Sequence, residues 1–145
     1  MSYQTKNPAA VKQLLADDPA WAYVDVRTVE EFEQGHVPGA YNVPILLRTA
    51  YGMQPNADFL SAMQRHFAPE RKLVLGCKAG GRSQRACELL ERQGYAQLVN
   101  MAGGFHGATD EMGRMVEPGW SACGYASTKK SEPGRSFQEL ASGSS

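Results

Sequence analysis

Short apolar runs alternate with helical patterns along this chain, and that alternation is what most restricts its fold. Trp21-Ala22-Tyr23-Val24-Asp25-Val26 reads as a buried strand and Tyr41-Asn42-Val43 as a short one; residues 72–76 and 97–101 supply two more. The helical stretches lie between them. Asn7-Pro8 opens one that carries Val11, Leu14 and Leu15 on a single face. Thr28, with Glu31 three residues on, fits a capping box for a second. Asn56 can cap a third bearing Phe59, Leu60, Met63 and Phe67, and a fourth ends at Gly94. Gly103-Gly104 reads as a turn into a last helix that runs to about Met115, while 48–55 reads as an irregular surface excursion. Strands and helices taking turns predict an α/β fold with a mainly parallel central sheet flanked by helices.

With 145 residues, the chain is long enough for one well-buried core. The sequence predicts a single domain over 1–126. Residues 127–145 are rich in Ser, Gly, Lys, Glu and Pro, with Phe137 and Leu140 as the sizeable apolar residues, and are expected to form a disordered C-terminal tail. Basic and acidic residues balance at 15 each, so no net field draws the chain to nucleic acid or to an anionic membrane, and neither partner is expected. The N-terminal residues lack the apolar centre of a signal peptide, which makes a cytoplasmic location the simplest expectation. The three cysteines, Cys77, Cys87 and Cys123, are odd in number and lack C-x-x-C spacing, so neither a disulfide scaffold nor a metal site is expected. Cys87 reads as a small core residue and Cys123 as a free loop thiol.

Chemistry concentrates in Cys77-Lys78-Ala79-Gly80-Gly81-Arg82-Ser83, between the apolar strand ending at Gly76 and the helix that follows. Glycines let the backbone curl so that successive N–H groups face inward around a sulfur or an anion. The helix N-terminus, Lys78 and Arg82 add positive charge, and together these favour the thiolate, which is the nucleophilic form. Cys77 is therefore the expected catalytic nucleophile, with Lys78, Ala79, Gly80, Gly81, Arg82 and Ser83 forming its loop. Arg82 has two roles open, binding an anionic donor or fixing the loop; Ser83 reads as the N-cap of the helix. Asp25 and Arg27 lie at a neighbouring strand end and are either a support for the loop or a charge pair that joins strand to helix. His36 reads as a turn histidine bonded to backbone, and His66 and His106 lack metal-ligand spacing.

Four segments taken in order resemble the rhodanese (thiosulfate sulfurtransferase) family. They are Asp25-Val26-Arg27 with Glu31-Phe32; Gly35-His36-Val37-Pro38-Gly39-Ala40-Tyr41-Asn42-Val43-Pro44; the cysteine loop with Arg82 and Ser83; and Asn100-Met101-Ala102-Gly103-Gly104. The resemblance covers most of residues 7–118 and implies a single-domain sulfurtransferase that needs no cofactor. By analogy, Cys77 takes the outer sulfur of a donor such as thiosulfate, holds it as a persulfide, and yields it to a thiol or cyanide acceptor or to a sulfur-relay protein.

Two positions depart from the family pattern. Ala79 stands where thiosulfate-specialised members carry a basic residue, and Phe105-His106-Gly107-Ala108 follows the glycine pair where a tryptophan is usual, leaving Phe105 or Trp120 to fill the space. Two other functions compete. A phosphatase or arsenate reductase of the tyrosine-phosphatase type places five residues between Cys and Arg, whereas four separate Cys77 from Arg82, a tighter cradle suited to sulfur. A persulfide carrier or regulatory module acting with a protein partner would share the chemistry and differ in its acceptor.

Overall fold

The computed structural model describes residues 3–141. In chain order its strands are β1 (Gln4–Lys6), β2 (Trp21–Asp25), β3 (Tyr41–Asn42), β4 (Leu46–Thr49), β5 (Gly52–Pro55), β6 (Lys72–Gly76), β7 (Leu98–Met101), β8 (Gly107–Thr109) and β9 (Met115–Pro118). The helices are α1 (Pro8–Asp17), α2 (Val29–Glu33), α3 (Phe59–His66), α4 (Gly81–Glu91) and α5 (Phe137–Ala141). Five strands form a parallel sheet in the order β1-β7-β6-β2-β3, as the alternating pattern predicts.

Period-two alternation sorts the strand residues onto two faces. Ala22, Val24, Leu73, Leu75 and Leu98 join Phe59, Met63, Ala86, Cys87 and Leu90 on the side of α3 and α4. Tyr23, Val74, Val99 and Met101 meet Val11 of α1, Phe32 of α2, Phe105 and Trp120 on the other side. Because all five strands run the same way, their carboxyl ends share one edge: Asp25 pairs with Gly76, and Leu75 with Asn100. That edge is where open α/β sheets place their sites.

Local signals explain several element ends. Asn7 caps α1, its side chain accepting from Ala10 N–H at 2.9 Å with Pro8 in the first turn. The Thr28–Glu31 capping box forms as expected. Asn56 instead makes an Asx turn onto Asp58 N–H, and Asp58 starts α3. The sequence reading misses β1, which adds to the outer edge of β7.

Two expectations about local structure fail. Residues 48–55 belong to the β4–β5 hairpin, with Tyr51 fully out in solvent. The expected helix to Met115 is the β8–β9 hairpin. At its tip Asp110 accepts from the Met112 and Arg114 N–H groups at 2.9 Å each, and Gly113 takes a positive φ of 80°, so turn chemistry overrides the helical spacing.

The larger correction concerns the tail. Within 127–145, the described residues 127–141 lie folded back on the domain, and 142–145 fall outside the described residues. Thr128 forms an isolated antiparallel bridge with His36. Arg135 donates to the Gly39 carbonyl at 2.6 Å and stacks on the Tyr41 ring. Leu140 of α5 is buried in the α3 side of the core, and its carbonyl accepts from Arg65 and His66 at the end of α3. Composition understated the segment because its few apolar residues have a prepared apolar surface to bury, and its polar ones have fixed partners. Among the described residues, no helix is long and apolar enough to cross a membrane.

Candidate active site

The sulfur of Cys77 sits just past β6, under its own loop, and the residue is 2% exposed. Gly80 donates its N–H to Sγ at 3.1 Å and Ser83 donates its N–H at 3.3 Å. Two features of sequence produce this curl. Gly80 occupies the N-cap position of α4 with φ 116°, a conformation L-side chains resist. On the outer side, the Cys77 carbonyl accepts from Phe105 N–H at 2.6 Å, and the Lys78 carbonyl accepts from His106 and Gly107 at 2.9 and 3.2 Å. With its carbonyls tied outward, the loop keeps N–H groups for the sulfur. Gly104, at φ 59°, allows this docking, since a Cβ there would overlap the Cys77 carbonyl and the Lys78–Ala79 peptide.

Ser83 is not the N-cap. It lies in the first turn of α4, fully buried, with its hydroxyl 3.4 Å from Sγ, 3.1 Å from the Gly80 carbonyl and 2.5 Å from Asn100 Oδ1. Arg82 makes a two-pronged pair with Glu31, at 2.7 and 3.0 Å. Burial alone would raise the Glu31 carboxyl; the bonds from Arg82 and from the Thr28 cap outweigh it and bring the pKa down to about 2. Of Arg82's two roles, fixing the loop is the one its geometry performs, by tying the start of α4 to the start of α2. Lys78 and Ala79 are exposed, which leaves Lys78 as the loop's solvent-facing cation. Gly81 is exposed as the first residue of α4, with open space beyond its Cα.

Asp25 and Arg27 form a buried, multiply bonded pair, with Arg27 Nη2 2.7 Å from Asp25 Oδ2 and 2.7 Å from the Gly35 carbonyl. Neither bonds to the cysteine loop. Arg27 does lie 4.6 Å over the Phe105 ring, whose own N–H holds the Cys77 carbonyl, so the pair supports the loop through Phe105. Phe105, then, fills the space beside the loop, and Trp120 packs against Tyr125 beyond it.

The other cysteines differ in kind. Burial, with Glu91 and Glu88 nearby, pushes the Cys87 thiol up to about 12, fitting a core residue, and Cys123 is exposed. His36 is a buried turn histidine, its ring stacked 3.6 Å from Phe32 and bonded to backbone carbonyls of Phe32 and Lys130. His106 lies beside the loop, where burial and then the charges of Arg27 and Lys78 lower its pKa. Among the described residues, no three His, Cys, Asp or Glu side chains gather as a metal site. Sequence reasoning missed Asn100 as a partner of Ser83 and Glu31 as a partner of Arg82; only the pairing of β6 with β7, which sets Leu75 beside Asn100, brings the first pair together.

The profile of the Rhodanese-like domain matches residues 7–111. Thiosulfate sulfurtransferase 16, chloroplastic, from Arabidopsis thaliana is 40% identical over 108 residues, covering 72% of this chain and 90% of that protein. The mitochondrial Protein HIGH ARSENIC CONTENT 1 from the same plant is 42% identical over 88 residues, covering 61% of this chain and 52% of its own length. The crystal structure of Rv0390 from M. tuberculosis superposes with a TM-score of 0.75 at 23% identity, covering 90% of this chain and all of that one, a likeness of fold.

Proposed function

The chain belongs to the rhodanese family, and from that premise we propose that it is a sulfurtransferase carrying sulfane sulfur on Cys77. One observation supports this above the rest: two backbone N–H groups, from Gly80 and Ser83, converge on a single buried sulfur. They are fixed before reaction and aimed at the atom that carries negative charge, so they stabilise it without reorganising. In the first step the Cys77 thiolate attacks the outer sulfur of a donor such as thiosulfate. A new S–S bond forms, the old one breaks, and its electron pair leaves on sulfite. In the second step a thiolate or cyanide attacks the terminal sulfur, and the breaking S–S bond returns its pair to Cys77.

The phosphatase alternative is disfavoured by Arg82. A phosphate cradle needs that guanidinium turned into the loop, whereas here it is bound to Glu31. A persulfide carrier that hands sulfur to a protein uses the same chemistry. The test is intact mass after incubation with thiosulfate or a polysulfide, followed by cyanide. One added sulfur atom on Cys77, removed by cyanide as thiocyanate, is the expected result. No adduct from either donor overturns the reading.

A further inference from the structure

The Ser83 hydroxyl has one proton and three neighbours that could take it: Asn100 Oδ1 at 2.5 Å, the Gly80 carbonyl at 3.1 Å and Cys77 Sγ at 3.4 Å. The first two are acceptors only, and the shortest contact is to Asn100. Ser83 and Asn100 are both buried, so no solvent competes for the proton. Asn100 is held in place by β7, where its strand position pairs with Leu75 of β6, two residues before the nucleophile.

We propose that Asn100 is a positioning residue that keeps the Ser83 proton away from Cys77, so that the hydroxyl turns a lone pair toward the sulfur. In this arrangement Ser83 accepts from the Cys77 thiol and gives nothing to the thiolate. The anion then relies on the two backbone N–H groups alone. A thiolate with fewer donors is less abundant at a given pH and more nucleophilic once formed. Asn100 thereby sets the balance between how often the nucleophile is ionised and how strongly it attacks. This inference rests on the reading of Cys77 as nucleophile and adds who controls its ionisation.

The geometry fixes signs for a set of variants. With Asn100 replaced by Ala, the hydroxyl is free to choose between the Gly80 carbonyl and the sulfur, and an anionic sulfur is the stronger acceptor. The thiolate gains a donor. In Ser83→Ala the backbone N–H to Sγ remains and only the hydroxyl is lost, so the thiolate loses no donor. The experiment is the pH dependence of alkylation of Cys77 by iodoacetamide, a neutral reagent, in the full-length protein. Peptide mapping follows Cys77 separately from Cys87 and Cys123.

For Asn100→Ala the midpoint should fall by about one pH unit, about tenfold more thiolate below the midpoint. Asn100→Leu, which fills the same space without an acceptor, should give the same fall and serves if the Ala variant does not fold. Ser83→Ala should leave the midpoint level or lower it. Adding Asn100→Ala to Ser83→Ala should change nothing more, because the effect passes through the hydroxyl. A midpoint that stays or rises in both Asn100 variants overturns the proposal. So does a rise in Ser83→Ala, which would show the hydroxyl already donating to sulfur, or an Asn100 effect that survives without Ser83. Alkylation requires no sulfur donor, so absence of a sulfur adduct in the mass experiment would remove the sulfurtransferase reading and leave this one standing.

Discussion

The cysteine loop and the C-terminal segment are both polar, glycine-containing stretches outside the main sheet, and they are held by opposite means. The loop is shaped by its own backbone: Gly80 at positive φ, N–H groups onto Sγ, and carbonyls tied to the turn after β7. Residues 127–141 are held by partners that lie far away in sequence, with Thr128 bridged to the His36 backbone, the Asn42 N–H on the Arg135 carbonyl, Arg135 on Tyr41, and Arg65 and His66 capping α5. One segment makes a site and adds little apolar burial. The other adds burial through Leu140, packed in the core on the α3 side, and its bridge to His36 and its bonds to Gly39 and Arg65 lie outside the cysteine loop. Function and stability should therefore separate under mutation.

The sharpest separation is Cys77→Ser. Serine keeps the size and a hydrogen-bonding atom but lacks the soft nucleophile, so sulfur loading should disappear altogether while the melting temperature stays within a degree or two of wild type. Residual loading detected at another cysteine would break the assignment. Deleting 128–145 should do the reverse. It uncovers the surface on which Leu140 sits and leaves the Asn42 N–H without the Arg135 carbonyl. The buried leucine alone is worth about 2–5 kcal/mol. Thermal melting should drop clearly, with Leu140→Ala reproducing most of the drop, and the rate of sulfur loading at low temperature should hold. An unchanged melting curve would mean the segment does not pack in solution.

The same contrast explains what could be read beforehand. The loop was legible because its chemistry is local: glycines, a thiol and a helix start fall within Cys77–Ser83. The parallel sheet was legible because β2 and β6 are short apolar runs each followed by a helix; β1, Gln4-Thr5-Lys6, carries no apolar run and was missed. Contacts that join remote positions were not legible. Ser83 looked like a cap because nothing in its neighbourhood announces Asn100, and Arg82 looked available to a donor because Glu31 was already engaged as a capping-box residue. Glu31 serves both, accepting from Thr28 and Arg82 together. The tail was misjudged on composition, since one leucine and one arginine are enough when the receiving surface is already built.

Glu31 joins the loop to the body of the domain and gives a pH prediction. Its carboxyl lies near 2 in the folded state, depressed from an ordinary value of 4.5. A depressed folded-state value means the stabilisation is complete above the unfolded value and is lost as pH falls from about 4.5 through about 2. The pair is only partly buried, so solvent screening reduces its worth to about 1 kcal/mol. Glu31→Gln should lower stability at neutral pH by that amount, and denaturant curves of wild type and variant should converge as the pH is lowered toward the folded value. Equal separation at every pH would show that the charge is not what stabilises the pair.

The smallest effect concerns the rim. With Arg82 bound to Glu31, Lys78 is the one loop cation left facing solvent, and Ala79 beside it carries no charge. Thiosulfate bears two negative charges and should be a modest donor here. Ala79→Lys adds a second cation next to Lys78 without entering the core, since position 79 is exposed. A solvent-exposed charge contact contributes about 0.2–1 kcal/mol, so kcat/KM for thiosulfate should rise by about 1.4- to fivefold. The gain should shrink as salt is added, because screening acts on exposed charges first. An uncharged sulfane donor should show no comparable gain, since it has no anion for the new lysine to meet. If both donors gained equally, the substitution would be acting through the loop's backbone, and the division between a locally fixed cradle and a freely variable rim would fail.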